Sequence, residues 1–291
     1  MSRFVKSHGL GNDYLVLAED DLGFPLVADT IRRLCHRSLG LGADGILLRV
    51  ASPRADFGVR IFNPDGSEAE KSGNGLRIFA KYAYEHAGAS GPRFSVETAA
   101  GVVGCMCEVV AGRIASVTVE MGRASFVARD VPMSGAAGEA VGVPLELDDQ
   151  AVTVTAVSLG NPHCVVLRDR LDEAEVRTLG PRLEHHPTFP RRTNVQFARL
   201  ASPGRLEILI WERGAGFTLA SGSSACAAAA AAVKLGLTPT GPVTVSMPGG
   251  TLSIEVRPDW TISLSGPVEE VASGTLSPDL VATLNALART A

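Results

Sequence analysis

Two serines precede glycine turns at the start of two helix-like segments, in two similar stretches of the chain. Ser72 lies in EAEKSGNGLRIFAKY, residues 68–82, and Ser221 lies in FTLASGSSACAAAAA, residues 217–231. A helix N-terminus presents unpaired backbone N–H groups and a partial positive charge. Glycine in the turn lets a ligand approach that backbone closely. Each turn therefore predicts an anion site that suits a carboxylate or a phosphate.

The alternative interpretation is that the serines only cap their helices, which is common for serine and asparagine. The first turn contains Gly73 and Asn74, and the second contains Gly222 and Ser223. Capping accounts for one such turn but not for its repetition in both halves of the chain. If the two halves face each other, we expect both helix ends to hold one anion, with the two serines on opposite sides of it.

Other polar side chains suit a small ligand that resembles an amino acid. They are Asn12, Asn63, Asn161, His163, Asn194, Glu212 and Arg213. Together they supply amides, one guanidinium that can bind a carboxylate through two parallel hydrogen bonds, and an acid or base. Each also has an ordinary interpretation. Asparagines serve turns, Arg213 can be a surface ion-pair partner, and His163 can be a satisfied interior histidine.

The elements that would position these residues are mostly short strands separated by glycine and proline. Alternating and β-branched residues predict strands at 57–63, 92–98, 113–122, 151–160, 194–200, 205–212, 241–247, 250–256 and 261–266. Helical spacing predicts helices at 30–37, after each serine turn, and at 276–290, where Ser277 is the expected N-cap and Pro278 the first residue. The run 225–232 is apolar on every side, which indicates a buried helix.

The order of strands, glycine turn, helix and strands occurs twice. It predicts an α+β fold of two pseudo-symmetric halves, each a curled, mostly antiparallel sheet around a central helix. We expect an N-terminal half at 1–120 and a C-terminal half at 121–267, with a linker near 122–135. The C-terminal segment 268–291 is expected to be a helix that packs back on the N-terminal half.

Composition excludes several classes of function. The chain has 291 residues, a hydrophobic fraction of 45% and a formal net charge of −4, with no basic run of the kind that nucleic-acid binding needs. No segment reaches the roughly 18 apolar residues of a membrane span, and the start carries no signal-peptide pattern. We therefore expect a cytoplasmic protein that binds neither nucleic acid nor a membrane.

The five cysteines do not form a recognisable framework. They are Cys35, Cys105, Cys107, Cys164 and Cys226. An odd and scattered set predicts structural thiols rather than disulfides. Cys105 and Cys107 alternate along a predicted strand and should share one face, but no Cys or His partner at metal-site spacing follows them. We predict no metal site.

Seven motifs, in order along the chain, closely resemble the diaminopimelate epimerase family. They are HGLGNDY, GLGADG, IFNPDGSE, SGNGLRIFAKY, SLGNPHC, NVQF and WERGAGFTLASGSSACA. The resemblance covers nearly the whole chain. It implies two pseudo-symmetric α+β halves with the site in the cleft between them. It also implies an amino-acid substrate, no cofactor, no metal and a possible homodimer.

The family uses two cysteines, one to remove the α-proton and one to return a proton to the opposite face. The resemblance places those cysteines at Ser72 and Ser221, so both thiols are replaced here. A free thiol has a pKa near 8.5, lowered at a helix N-terminus. A serine hydroxyl is far less acidic and is a weak reactant without an adjacent base.

The resemblance also implies roles for the other site residues. The residues implied to bind the substrate, including the distal end of diaminopimelate, are Asn12, Asn63, Asn161, Asn194 and Arg213. Those implied to bind the reacting carboxylate are Gly73, Asn74, Gly222 and Ser223. Glu212 is implied to lie near the reacting amine and the second proton-transfer group, and His163 near the first. With serines in place, His163 would activate Ser72 and Glu212 would activate Ser221. Family members commonly have Glu where this chain has Phe217.

Three functions are consistent with these residues. The first is a cofactor-independent epimerase that interconverts LL- and meso-diaminopimelate, a precursor of lysine and peptidoglycan, by proton transfer between two groups at the α-carbon. The second is a related racemase or dehydratase that acts on another amino acid. The third is a catalytically silent form, natural or a Cys-to-Ser form that traps substrate, which only binds its ligand. The retained distal-end residues favour diaminopimelate as ligand, and the first function is the hypothesis that we carry forward.

Overall fold

The computed structural model describes residues 2–135 and 138–290. The chain divides into two compact units. Unit 1 comprises the residues up to Val119 together with those from Gly266 onward, and unit 2 is Glu120–Ser265.

The elements alternate short strands with a few helices. The strands are β1 (Arg3–Gly9), β2 (Asn12–Ala18), β3 (Ile46–Val50), β4 (Phe57–Phe62), β5 (Glu68–Ala69), β6 (Arg93–Thr98), β7 (Gly101–Val110), β8 (Arg113–Arg123), β9 (Val143–Leu147), β10 (Gln150–Ser158), β11 (Pro162–Leu167), β12 (Asn194–Ser202), β13 (Arg205–Glu212), β14 (Gly216–Thr218), β15 (Gly241–Met247), β16 (Gly250–Val256), β17 (Thr261–Gly266) and β18 (Glu269–Thr275). The helices are α1 (Ala28–Cys35), α2 (Gly73–His86), α3 (Glu173–Glu184), α4 (Gly222–Lys234) and α5 (Pro278–Thr290), with a 3₁₀ turn at Glu19–Asp21.

The strand pairings of unit 1 are mixed but mostly antiparallel. β1 pairs with β18 and β2, β3 with β4, β4 with β5, β6 with β7 and β7 with β8, all antiparallel. β2 with β3 and β4 with β6 are parallel. Helix α2 packs against β1, β2, β4 and β7, and its residues Leu76, Phe79, Ala80 and Ala83 are fully buried, as their spacing predicted.

Unit 2 repeats this order of elements and pairings. β10 pairs with β9 and β11, β12 with β13, β13 with β14, β15 with β16 and β16 with β17, all antiparallel, whereas β11 with β12 and β13 with β15 are parallel. Its central helix α4 packs against β10, β11, β12, β13, β15 and β16. The predicted α+β fold of two similar halves, each with a sheet around a central helix, is therefore confirmed.

Helix α4 owes its position to alanine. Every residue of the run from Ala225 to Ala232 is fully buried, and side chains this small let the surrounding strands approach the helix from several directions. The sequence prediction of a helix buried on all sides is confirmed.

The C-terminal helix α5 belongs to unit 1 and contacts α1. Leu276 and Leu284 join Ile31 and Leu34 of α1 in one hydrophobic core. The helix begins at Pro278, and the Ser277 hydroxyl accepts a hydrogen bond from the Leu280 N–H at 3.2 Å, as an N-cap does. The predicted start of this helix is confirmed, but residues 269–275, included in the segment expected to be helical, form strand β18 instead.

The segment 122–135 is not a linker. Its residues Ala128, Val131 and Met133 are buried in the hydrophobic core of unit 2, beside Val176 and Leu183 of α3.

Among the described residues, no helix combines the length and apolar composition that crossing a membrane requires. All five cysteines lie in the described part of the chain, and they are buried thiols that form no disulfide there. Cys105 and Cys107 share the buried face of β7 while Met106 between them is exposed, which confirms the predicted alternation.

Helix α3 was missed by sequence analysis, and its interior contains Gly180 and Pro181. A Cβ added to Gly180 would lie 2.6 Å from Cγ of Trp211, closer than real contacts allow. The glycine therefore lets the indole lie directly against the helix.

We expect Gly180→Ala to lower the free energy of unfolding by about 1–3 kcal/mol, because an overpacked side chain must displace Trp211. Alanine is about 1 kcal/mol better than glycine in a helix interior, so propensity alone gives the opposite sign. Chemical denaturation measures the difference. Gly91→Ala is the control, since nothing lies near a Cβ at that position, and it should change stability little. A Gly180→Ala protein at least as stable as the parent would show that the close packing is not required.

Candidate active site

Ser72 caps helix α2 with its side chain. Its Oγ accepts a hydrogen bond from the Gly75 N–H at 3.0 Å and lies 3.3 Å from the Tyr14 hydroxyl. A Cβ at Gly75 would come within 3.2 Å of that Oγ, so glycine keeps the cap open. The hydroxyl thus accepts from the helix backbone, while its own proton remains available for donation.

Two of the three asparagines predicted in unit 1, Asn12 and Asn74, belong to one chain of hydrogen bonds beside this helix end. The buried Arg77 donates to Oδ1 of Asn74 at 3.0 Å, and Nδ2 of Asn74 donates to Oδ1 of Asn12 at 3.2 Å. Nδ2 of Asn12 in turn donates to Asp44 at 3.1 Å. Asn12 and Asn74, 62 positions apart, are therefore brought together and oriented by Arg77 and Asp44.

A cluster of opposite charges anchors this chain. Asp13 is bound by Arg37 at 2.9 Å and by Lys6 at 3.1 Å, and Arg37 also reaches Asp44 at 2.7 Å. Burial raises the pKa of Asp13, but its hydrogen bonds to Arg37 and Lys6 outweigh this effect and hold the pKa below its usual value. The Asp13 carboxylate therefore stays ionised, and it fixes the turn that carries Asn12.

Asn63 has only local hydrogen bonds among the described residues. Its side chain donates to the Ser67 hydroxyl at 3.0 Å, and its backbone pairs with Ser67 and Gly66 in the turn after β4. This is the ordinary role of asparagine in a turn. The structure does not join Asn63 by hydrogen bonds to Asn12 or Asn74.

Ser221 caps helix α4 in the same way as Ser72 caps α2. Its Oγ accepts from the Ser224 N–H at 3.5 Å and lies 3.5 Å from the Ser223 hydroxyl. Both contacts are longer than the cap bond of Ser72. The backbone angles of the two serines are nearly the same, with φ −140° and ψ 121° at Ser72 and φ −147° and ψ 123° at Ser221. The helix-cap interpretation is therefore observed at both serines, and it is compatible with an anion site at each helix start.

His163 is fully buried and both of its ring nitrogens are occupied. Nε2 lies 3.0 Å from Oδ1 of Asn161, and Nδ1 lies 3.1 Å from Nε2 of Gln196. This assigns the proton to Nε2 of the histidine, which donates to Asn161. Burial, followed by the positive charge of Arg213, lowers the pKa of His163 to about 3. That His163 takes a proton from Ser72 stays a prediction; a pKa of about 3 makes the imidazole a weak base, and its acceptor nitrogen Nδ1 is engaged by Gln196.

We expect His163 to make folding stability fall in acid. The unfolded chain binds a proton at this residue below pH 6.5, whereas the folded chain does so only near pH 3. Stability is therefore lost as the pH falls through that window. Between pH 7 and pH 4.5 the loss from this residue should be about 2–3 kcal/mol.

Chemical denaturation of the parent and of His163→Gln at both pH values measures that loss. Glutamine does not titrate, so the variant should lose less stability than the parent between the two pH values, whatever its stability at pH 7. Equal losses in the two proteins would contradict a buried neutral histidine.

The residues of unit 2 that were predicted to bind the distal end of the substrate meet at the ends of β12 and β13. Oδ1 of Asn194 accepts from the Arg213 N–H at 3.1 Å, and its Nδ2 donates to the Pro162 carbonyl at 3.0 Å. His163 is the register partner of Asn194 across the parallel strands β11 and β12. The structure therefore brings Asn161, His163, Asn194 and Arg213 together.

Arg213 and Glu212 lie in the turn between β13 and β14, which closes with a hydrogen bond from the Ala215 N–H to the Glu212 carbonyl at 3.0 Å. Arg213 is exposed, and its Nη1 donates to the Arg191 carbonyl at 3.2 Å. This leaves most of the guanidinium fork directed at solvent. Phe217, on β14, lies under the guanidinium of Arg177 at 4.5 Å from its ring centroid, so this position makes a cation–π contact rather than a polar one.

Several residues that sequence analysis missed support these side chains. Gln196 is fully buried, and its Nε2 forms hydrogen bonds to His163 at 3.1 Å and to the Ser224 hydroxyl at 3.0 Å. Tyr14 contacts Ser72, and Arg77 holds Asn74. The sequence offered one signal for Gln196, which is a polar residue at a buried position of the predicted strand NVQFARL.

One group of possible metal ligands exists in the described part of the chain, and it lies apart from Ser72. Glu85, His86 and Glu270 place their ligand atoms within 4.8 Å of one another. His86 is the last residue of α2, whereas Ser72 caps its start. At 1.5 Å per residue the helix spans about 20 Å, so these ligands are remote from the first serine.

The fold is that of known racemases and epimerases. A hydroxyproline epimerase from Agrobacterium vitis, solved with trans-4-hydroxy-L-proline, matches with a TM-score of 0.71 at 15% identity, covering 99% of this chain and 98% of that one. A phenazine biosynthesis protein from Bacillus anthracis matches with a TM-score of 0.66 at 14% identity, covering 95% and 99%. At these identities the likeness concerns the fold alone.

Sequence relatives are far closer. The profile of the diaminopimelate epimerase family matches residues 4–127 and 155–271. The protein named diaminopimelate epimerase 2 of Nostoc sp. is 48% identical over 281 residues, covering 96% of this chain and 97% of that protein. The diaminopimelate epimerase of Pelotomaculum thermopropionicum is 45% identical over 279 residues, covering 93% and 97%. The chain belongs to the diaminopimelate epimerase family, whose members are isomerases.

Proposed function

We propose that this protein interconverts LL- and meso-diaminopimelate by moving a proton at the α-carbon, without a cofactor. The observation that carries the proposal is the pair of N-capping serines. Ser72 and Ser221 begin the central helices of two units that repeat one order of elements, and their backbone conformations match. Family membership supplies the substrate class.

Each unit offers groups for one part of such a substrate. In the proposal, the helix starts at Gly73–Asn74 and Gly222–Ser223 hold the reacting carboxylate through backbone N–H groups. Asn12 and Asn63 contribute amides from unit 1, and Asn161 and Asn194 from unit 2. Arg213 binds the distal carboxylate, because its guanidinium fork is exposed and its backbone is fixed by Asn194.

Proton transfer in this proposal runs between the two serines. One serine oxygen takes the α-proton while its own hydroxyl proton passes to an adjacent base, and the other serine gives its proton to the opposite face of the carbanion. Glu212 is the proposed base for Ser221. We do not assign His163 as the base that acts on Ser72. When Ser221 removes the α-proton, Ser72 is the donor to the opposite face, and its oxygen regains a proton from the Tyr14 hydroxyl, 3.3 Å from Oγ. Solvent returns a proton to Tyr14 and takes one from Glu212, and the reverse reaction runs the same path backwards.

A second candidate function is binding of diaminopimelate without turnover. The observation that favours it is that both hydroxyls accept a hydrogen bond from their own helix. Among the described residues, neither hydroxyl is hydrogen-bonded to a carboxylate or an imidazole that could take its proton, and a serine hydroxyl is a weak reactant unless a base acts on it.

Exchange of the α-hydrogen in D₂O separates the two candidates. The parent protein incubated with LL-diaminopimelate should incorporate deuterium at one α-carbon and produce the meso isomer, followed by mass spectrometry and chiral chromatography. Calorimetric binding with no exchange over a long incubation would establish the binding protein instead. If the protein shows no binding and no exchange, both candidate functions are contradicted.

We also propose that the protein works as a homodimer in the cytoplasm. Five buried cysteines without a disulfide among the described residues are consistent with a reducing compartment. Light scattering at micromolar concentration tests the dimer, and a monomeric mass across the range would contradict it.

A further inference from the structure

Glu184, the last residue of α3, is a buried carboxylate with three hydrogen-bond donors. Only 3% of the residue is exposed. Its Oε2 accepts from the indole Nε1 of Trp211 at 2.8 Å, and its Oε1 accepts from the Gly214 N–H at 3.0 Å and from Nη1 of Arg192 at 3.3 Å. A buried carboxylate is costly unless it is paired and hydrogen-bonded, and this one is both.

Two of these donors flank the turn that carries Arg213. Trp211 precedes it on β13, and Gly214 follows it directly. Gly214 has φ +81°, a left-handed conformation that favours glycine. With Asn194 accepting from the Arg213 N–H, successive backbone N–H groups of the turn are held by one amide oxygen and one carboxylate oxygen.

The third donor acts on the side chain of Arg213. Arg192, paired with Glu184, has φ +57°, which is uncommon for a residue other than glycine. Its conformation is also held by a hydrogen bond from its N–H to the Phe189 carbonyl at 2.8 Å. The preceding residue, Arg191, offers the carbonyl that accepts from Nη1 of Arg213. Glu184 therefore reaches Arg213 from the side-chain end as well as from the backbone.

The sequence of α3 is adapted to this arrangement. Gly180 lies one helical turn before Glu184 and leaves room for the Trp211 ring against the helix. The ring then lies where its N–H reaches the Glu184 carboxylate. Glycine inside a helix costs stability, so its presence at the contact point indicates that the close approach of Trp211 matters.

We propose that Glu184 is a positioning residue, which sets both the backbone and the guanidinium of Arg213 so that they meet the distal group of the substrate. This proposal rests on the proposed function, in which Arg213 binds the distal carboxylate. Glu184 itself does not touch the substrate. Its effect should therefore be confined to ligands that have a distal charged group.

The test is Glu184→Gln, which keeps the shape but removes the charge and turns one acceptor into a donor. That donor faces either the Trp211 N–H or the Gly214 N–H, which are donors themselves. We expect the Kd of meso-diaminopimelate, measured by calorimetry, to rise about tenfold or more. The Kd of 2-aminobutyrate, which lacks the distal group, should change less than about twofold. Glu173→Gln on the same helix, where the pair with Arg177 is exposed, is the control and should change neither.

A second variant guards against loss of folding. Trp211→Phe retains an aromatic ring beside Gly180 and removes the indole N–H together with part of the ring. It should show the same selectivity with a smaller rise in Kd. Near-ultraviolet circular dichroism confirms that each variant is folded at the temperature of the titration.

The outcomes distinguish failure of this proposal from failure of the proposed function. If Arg213→Ala weakens diaminopimelate selectively while folded Glu184→Gln and Trp211→Phe do not, Glu184 is not a positioning residue. If Arg213→Ala itself has no selective effect, or the parent binds no diaminopimelate, the distal anchor of the proposed function fails.

In that last case amide hydrogen exchange without ligand still tests the positioning. Glu184→Gln should speed exchange at Gly214 relative to the rest of β13 and α3. Uniform acceleration across α3 would reduce Glu184 to a structural role.

Discussion

Combined Ser72→Cys and Ser221→Cys substitutions should raise the rate of α-proton exchange on diaminopimelate by about three orders of magnitude or more, because only a thiol is appreciably ionised near neutral pH. Both positions are helix N-caps, where the partial positive charge lowers a thiol pKa further. The rest of the chain retains the family motifs around both positions. The assay is deuterium incorporation in D₂O under single-turnover and multiple-turnover conditions.

The single replacements should give much less than the double one, because inversion needs one group on each face of the α-carbon. Ser277→Cys is the matched control, since Ser277 also caps a helix but lies outside the proposed site. A double variant no faster than the parent would mean that the surrounding residues are not arranged for this chemistry.

Arg213→Lys should weaken binding of meso-diaminopimelate by about tenfold or more, since lysine offers one point charge in place of a planar fork with two parallel donors. Binding of alanine or serine should change little, as neither has a distal carboxylate. Calorimetry on the parent and the variant with long and short ligands measures the contrast.

Arg205→Lys at the start of β13, the strand that precedes Arg213, is a suitable control, because this exposed arginine is outside the proposed site. If long and short ligands lose equal affinity in Arg213→Lys, the assignment of Arg213 to the distal carboxylate is wrong.

Several strands that alternate in polarity could be read from the sequence, whereas two that are buried on both faces could not. β15 and β16 alternate between buried and accessible residues and were predicted. β2 and β11 are buried at nearly every position and pair in parallel with a neighbour, so they lack that alternation. β2 also begins inside HGLGN, residues 8–12, whose glycines suggest a loop, because Asn12 is the first residue of the strand.

Helix α3 was missed because Gly180 and Pro181 interrupt the pattern by which a helix is identified. The reason for that interruption, the indole of Trp211, lies 31 positions later in the chain. The sequence pattern of the helix alone cannot indicate a contact with a residue so far along the chain. The buried helices α2 and α4 were predicted because their apolar residues and their serine caps are adjacent in sequence.

The side chains that could carry chemistry were predictable from motif and resemblance, but their supports were not. Glu184 and Gln196 are polar residues whose partners are set by tertiary packing, 27 to 33 positions away. His163 shows the same limit. Its type suggested a base, whereas its burial and its bonds to Asn161 and Gln196 make it a neutral group that orients an amide.

The most direct test of the central claim is a crystal structure of the protein with meso-diaminopimelate bound. We predict that Oγ of Ser72 and Oγ of Ser221 lie on opposite faces of one α-carbon, each roughly 3–3.5 Å from it, and thus about 6–7 Å apart. Both helix starts should donate backbone N–H groups to the same carboxylate, and the Arg213 guanidinium should bind the distal one. A ligand whose α-carbon lies against only one serine, or serines that open into separate cavities, would contradict the account.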